Sequence, residues 1–218
     1  GILQDPTIRL NANRLWDFAF NIALGLEYLH SKGMTHCDMK SENILVDEHW
    51  VCKISDFGLS EFEKDDSEGG ASNSSFSGSL NRLSSLRNNV AIDDGQGDTK
   101  NLAPGLKGPK GTLLYQPPEV TLGGDYTTAG DIFAFSLILY EIATRKEPYF
   151  DSDLNAYQQS LHVAKQNLRP TWVFDGTGMS EAEAEGMQKI TESCWNGDVK
   201  ERCSASTACT KLKYEVEY

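Results

Sequence analysis

Asp38, Lys40 and Asn43 lie within one short run, HCDMKSEN, at residues 36–43. A carboxylate, an ammonium and a primary amide at this spacing divide three tasks between them. The Asp38 carboxylate can take a proton from an approaching hydroxyl. Lys40 offers a compact cation that neutralises phosphate oxygens. Asn43 offers a carbonyl oxygen to a hard cation such as magnesium. Farther on, KISDFG places Asp56 at the end of a β-prone run and beside a glycine-bearing turn, where it can reach the same cation. The set suits phosphoryl transfer, a reaction that needs positioned charge, metal and an oriented acceptor more than covalent chemistry. Taken singly, Asp and Asn are ordinary turn formers that bond to local backbone. An isolated DFG is equally weak, so the reading rests on the order and company of the four.

These groups need elements to hold them. Asn11 or Asn13 can cap a helix in which Leu15, Phe18, Ile22, Leu26 and Leu29 recur at three- and four-residue steps. Phe20, Ala23 and Leu24 widen that stripe and predict a helix buried on most sides, with Gly33 at its C-terminal end. NILV (43–46) and WVCKI (50–54) read as a small hairpin directly after the polar cluster. Residues 63–110 change character: Ser, Asn, Gly and Asp dominate without periodicity, which predicts a long, exposed, disordered insertion. Order resumes at GTLLYQPPEV. Thr128 with Asp131 reads as a capping box before the very apolar helix 132–143, and Pro148 follows its end. A shorter helix is predicted at 153–165. Ser180 with Glu183 makes a second capping box, before an apolar stripe through Met187, Ile190 and Cys194, and a last helix spans 204–214. The fold class is mainly α with one small hairpin, and no internal repeat is visible.

Composition sets outer bounds. Hydrophobic residues make up 39% of the chain, enough for a core, and the net charge is −12, from 32 acidic against 20 basic residues. Such a surface repels nucleic acid and anionic membrane, so neither is expected as a partner. Five cysteines, an odd number in a chain of this size, do not read as a disulfide framework and fit a reducing, cytoplasmic setting. The most apolar run, 132–142, is too short to span a bilayer and contains Glu141.

Several motifs in one order resemble the C-terminal lobe of a eukaryotic protein kinase. HCDMKSEN looks like its catalytic loop, DFG at 56–58 is an unaltered match, and GTLLYQPPE looks like the end of its activation segment. DIFAFSLILYE resembles the helix that follows, and Cys194, Trp195 and Arg202 resemble the late part of the lobe. The resemblance implies ATP and Mg2+ as cofactors and a protein substrate. Asp38 would orient and deprotonate the acceptor hydroxyl, Lys40 would steady the transferring phosphoryl group, and Asn43 and Asp56 would bind magnesium. His36 would pack beneath Phe57 as a structural residue, with Gly58 completing the turn. Glu119 would pair with Arg202 in a buried site, and Asp131 would hold the catalytic-loop backbone. Lys40 and Thr112 resemble the serine/threonine enzymes, and DMKSEN and SCW lean toward their tyrosine-kinase-like branch.

Departures from the family pattern carry their own implications. Cys37 stands where an arginine is common, so an Arg–phosphate clasp is not the expected switch. Ser84 and Ser85, near Arg82 and Arg87, are candidate phosphorylation sites, although a Ser-rich solvent loop without regulation is the plainer reading. Ser136 replaces a usual glycine and can bond back to the preceding turn. Cys203 takes the place of a usual proline, and Pro117 that of a usual alanine. No Gly-rich phosphate loop, strand lysine or helix glutamate precedes Asp38, so residues 1–218 read as a partial kinase domain whose N-terminal lobe is missing. Alone, such a chain is expected to bind ATP poorly and to transfer little phosphate. A kinase-like binding or scaffolding module is the alternative, and the kinase-like regulatory domain of a membrane cyclase a more distant one.

Overall fold

A computed structural model describes residues 1–5, 7–62, 113–174 and 177–216. The tract at 63–110, the candidate sites Ser84 and Ser85, and Thr112 lie outside the described residues. Six α-helices carry the described part: α1 (Ala12–Ser31), α2 (Pro118–Thr121), α3 (Thr128–Thr144), α4 (Ala156–Gln166), α5 (Glu181–Cys194) and α6 (Ala205–Val216). Four short strands and one 3-10 turn lie between α1 and residue 62: β1 (Met34–Thr35), the turn Ser41–Asn43, β2 (Ile44–Val46), β3 (Cys52–Ile54) and β4 (Glu61–Phe62). No helix among the described residues is long and apolar enough to cross a membrane.

Helix α3 is the centre of the core. Every residue from Gly130 to Thr144 is buried, Asp131, Ser136 and Glu141 included. Phe133, Phe135, Leu137 and Leu139 have no exposed surface, and burying each such side chain contributes about 1.5–3 kcal/mol. The predicted capping box at its start does not form. Thr127, not Thr128, is the N-cap and makes no side-chain cap bond; Gly130 therefore stands at the third helical position, and the Asp131 carboxylate one residue on is committed to the loop before β2. The Ser136 hydroxyl donates back to the Phe133 carbonyl within the same helix. The helix ends where Arg145 turns into the left-handed region, three residues before Pro148.

Helix α1 packs against α6, β3 and α3, while α5 packs on α3. Its N-cap is Asn11, whose side chain accepts from the Arg14 amide at 2.9 Å. Leu15, Phe18, Ile22 and Leu26 are buried, but Leu24 is 49% and Tyr28 64% exposed. The prediction of burial on most sides is therefore too broad. Successive residues turn by about 100°, which sets Leu24 across the helix from both Ile22 and Leu26. Gly33 follows the C-cap Lys32 with φ of 66°, a conformation glycine adopts without steric cost.

Helix α4 starts later than the predicted residue 153, because Asn155 and Gln158 form a reciprocal capping box there. The Ser180–Glu183 box opens α5. An aromatic group joins the C-terminal helices to α3: the Trp172 ring lies 5.2 Å from Tyr140, 5.3 Å from Phe174 and 5.4 Å from Trp195.

Candidate active site

Two antiparallel strand pairs bring the polar residues into one region. In the hairpin, Ile44 faces Ile54, Leu45 faces Lys53 and Val46 faces Cys52. The Asp47 carboxylate closes its turn by accepting from the His49 and Val51 amides. Just beyond the ladder, the Ser55 amide and hydroxyl both donate to the Asn43 carbonyl, at 2.9 and 2.8 Å. Asn43 and Asp56 are thereby fixed on neighbouring chain segments. A second pairing, Met34 with Phe62 and Thr35 with Glu61, ties the two ends of the region together and was not foreseen in the sequence.

Around Asp38 the cluster is tight. Lys40 Nζ donates to Asp38 Oδ2 at 2.6 Å, and Asn43 Nδ2 donates to the Asp38 carbonyl at 2.8 Å and to Oδ2 at 3.2 Å. The Lys40 and Asp38 side chains are 16% and 10% exposed. The Asn43 amide nitrogen is committed to Asp38, so its oxygen is the end available to a cation. Asp56 is exposed and holds φ at 62°, a left-handed conformation that costs a non-glycine residue about 1–2 kcal/mol. The Gly58 amide lies 3.4 Å from Asp56 Oδ1, and a Cβ at position 58 would stand 3.3 Å from the same oxygen.

His36 is completely buried. Its Nε2 meets the Ser55 carbonyl at 3.0 Å, and its Nδ1 accepts from the Asp38 amide at 3.3 Å. A carbonyl can only accept and an amide can only donate, so these partners select the neutral tautomer protonated at Nε2. Both nitrogens are thus used structurally. The ring lies 5.2 Å from that of Phe57.

The Asp131 carboxylate reaches this loop from the first turn of α3. Its Oδ2 accepts from the His36 amide at 2.8 Å and meets His30 Nε2 at 2.9 Å; its Oδ1 accepts from the Cys37 amide at 3.0 Å. One buried acid therefore ties α3, the end of α1 and the loop together. Cys37 takes φ of 66° there. Burial first, then the Asp131 and Glu61 charges, pushes its thiol up to about 12, which removes it as a nucleophile at neutral pH.

Glu119 and Arg202 meet as a two-pronged pair, with Arg202 Nη1 and Nη2 donating to the two carboxylate oxygens at 2.8 and 3.0 Å. The guanidinium also donates to the Asn196 and Ala129 carbonyls and lies over the Phe133 ring. Arg169 lies over the same ring and donates twice to the Trp195 carbonyl.

A buried polar group that the sequence reading passed over joins this region to α3. The Tyr115 hydroxyl donates to Glu141, the Ser41 hydroxyl lies 3.1 Å from Tyr115, and Gln4 donates to the other Glu141 oxygen at 3.0 Å. Its signal was the acid inside an apolar helix, since a buried charge needs partners. Burial is the main force on Glu141 and pushes its carboxyl up to about 7; the Tyr115, Ser41 and Gln4 bonds oppose it. The folded state therefore holds this proton more tightly than the unfolded chain. The stabilisation is fully present below about pH 4.5 and is lost as pH rises to about 7. Glu141→Gln is expected to flatten the fall of Tm with pH across that window; an unchanged slope would assign the fall to other groups.

The protein kinase domain model matches residues 3–85 and 87–213. The probable serine/threonine-protein kinase drkC of Dictyostelium discoideum is 31% identical over 214 residues, which cover 97% of this chain and 23% of that protein. The serine/threonine-protein kinase mos of Gallus gallus is 28% identical over 197 residues, covering 90% of this chain and 46% of that protein. A protein kinase and PP2C-like domain-containing protein of Arabidopsis thaliana is 28% identical, covering 88% of this chain and 28% of that protein. The chain thus spans between 23% and 46% of the length of these three relatives. The ordered motifs and the family match together place the chain in the protein kinase domain family, among homologues named as serine/threonine kinases.

Proposed function

We propose that this chain is the C-terminal lobe of a serine/threonine protein kinase of the tyrosine-kinase-like branch. It would act on protein hydroxyls with ATP and Mg2+ once a nucleotide-gripping N-terminal lobe closes over it. The observation that carries the reading is the convergence of Lys40 and Asn43 on Asp38, with Asp56 held alongside through the Asn43–Ser55 bonds.

The residues present fit the cofactors. Asn43 and Asp56 supply hard oxygen donors, the kind magnesium takes. Among the described residues no group of three His, Cys, Asp or Glu side chains forms a metal cage. That suits an ion that keeps water and takes part of its shell from phosphates. When bound, magnesium would neutralise charge on the transferring phosphates. Asp38 would accept the proton of the incoming hydroxyl, and its bond to Asn43 fixes its direction. Lys40 would move from the carboxylate toward the phosphoryl oxygens as these become the stronger anion. His36, Phe57 and Asp131 would act as positioning residues beneath this set. The apolar surface beside Asp56 supports a second lobe: Phe57 is 44% and Leu59 37% exposed. Cytoplasmic residence would accompany this reading, as would the absence of nucleic-acid and membrane contact by this segment.

Phosphate transfer from Mg-ATP to serine, threonine and tyrosine peptides tests it, in a polypeptide that joins this chain to its nucleotide-binding lobe. Transfer to serine or threonine is expected. Asp56→Asn is expected to weaken apparent magnesium affinity by about 100-fold or more while leaving Tm within a few degrees. Unaltered magnesium dependence in that variant would remove Asp56 from the metal site.

A further inference from the structure

Away from the catalytic loop, two of the five cysteines touch. Cys194 closes α5 and Cys203 follows Arg202; their sulfurs are 3.2 Å apart, about 1.2 Å longer than a covalent S–S bond. The backbone already joins the two positions, since the Cys203 amide donates to the Ser193 carbonyl at 3.0 Å. Cys194 is buried, whereas Cys203 is partly exposed. Lys211 on α6 donates to the Ser193 hydroxyl at 3.1 Å, which sets a cation and a hydroxyl beside the pair.

We propose that Cys194 and Cys203 form a redox-responsive dithiol that a peroxide closes to a reversible disulfide, locking the turn that carries Arg202. The inference goes beyond the kinase reading and does not depend on phosphate transfer. The reaction balances with hydrogen peroxide as oxidant. The Cys203 thiolate attacks one peroxide oxygen, the O–O bond breaks, and protonation of the departing oxygen gives water and a Cys203 sulfenic acid. The Cys194 thiol then attacks the Cys203 sulfur, the S–O bond breaks, and a second water leaves. Two thiols lose two electrons and two protons in total, and the peroxide gains both.

The five thiols differ in readiness for the first step. Cys203 is held below the ordinary thiol range, first by the hydrogen bond from Cys194 and then by Ser193 and Lys211. Burial pushes Cys37 and Cys52 up to about 12 and Cys209 up to about 11. The thiolate that can react is therefore the one that is partly exposed and already against its resolving partner. The closed ring would span residues 194–203 and enclose Asn196, whose carbonyl accepts from Arg202 Nε.

The test uses the full chain treated with dilute hydrogen peroxide, followed by thiol counting, peptide mapping and thermal melting. The expected result is a loss of two thiols per chain, a Cys194–Cys203 cross-linked peptide, recovery with dithiothreitol, and a Tm rise of roughly 5 °C in the oxidised form. In Cys203→Ser neither the cross-link nor the Tm rise should appear. The wild-type map stands without that variant should it fold poorly. Three results would overturn the proposal: faster oxidation of Cys37, Cys52 or Cys209, a stable sulfinic acid at Cys203 with Cys194 still free, or no reaction at Cys203.

Discussion

Asp38→Ala, in a polypeptide that joins this chain to a nucleotide-binding kinase lobe, is expected to lower phosphate transfer by about 10²–10⁴-fold with nucleotide affinity little changed. A positioned base acts in the transition state, so its loss should lower kcat and leave binding of the ground state alone. The Asp38 carboxylate is held in one orientation: Asn43 Nδ2 donates to both its carbonyl and its carboxylate, and Lys40 Nζ lies 2.6 Å from Oδ2. Removing the carboxylate also strips Lys40 of its resting partner, so a modest further loss from misplaced charge is expected. Asp38→Asn keeps the shape but not the base and should fall nearly as far. The measurement is single-turnover transfer beside Mg-ATP affinity; undiminished transfer in either variant would refute the catalytic assignment.

The largest effect on stability is expected at Glu119. Arg202 is completely buried in its side chain, with Glu119 18% exposed. Removing the acid leaves a guanidinium without its counter-charge in the interior, and breaking such a pair costs about 3–5 kcal/mol. The Asn196 and Ala129 carbonyls still accept from Arg202, and water can reach the Glu119 side, which favours the lower end of that range. Replacing both partners with apolar residues, Glu119→Leu with Arg202→Met, should recover much of the loss, because no charge is then stranded. Urea unfolding of the two single variants and the double variant measures this. Strict additivity of the single losses would mean that the two groups do not act as a pair.

Much of the fold was legible because its signals are local. The Ser180–Glu183 box lies within four residues, and the apolar run of α3 declares a buried helix by composition alone. The hairpin was visible in two short β-prone runs flanking a polar turn. The polar cluster from Asp38 to Asn43 was legible for the same reason: one short segment carries it. What local spacing does not show depends on residues far apart in sequence. By spacing alone Asp131 reads as a capping acid, because Thr128 stands three residues before it; only the family resemblance implies that it holds the catalytic-loop backbone. Its actual partners, His30, His36 and Cys37, lie about a hundred residues away, and a three-residue pattern cannot register them. The Glu141 group draws on Gln4, Ser41 and Tyr115, so only the misfit of an acid in an apolar run marked it. The left-handed backbones of Cys37 and Asp56 had no glycine to announce them; tertiary bonds impose those conformations against local preference.

Residues 2–5 are strapped to the far end of α3. Arg145 donates to the carbonyls of Ile2, Leu3 and Asp5, while Gln4 reaches Glu141 and, through Tyr115, Ser41 beside Lys40. Residues 2–5 are consequently linked to the loop at residues 36–43 by four side chains, Gln4, Glu141, Tyr115 and Ser41, rather than by backbone. Tension on that segment would withdraw a donor from a buried acid, tighten the acid's hold on its proton, and loosen the post on which the loop rests. The turn at residues 2–5 is thus joined mechanically to the loop at residues 36–43, anchored at Arg145 and transmitted to Ser41.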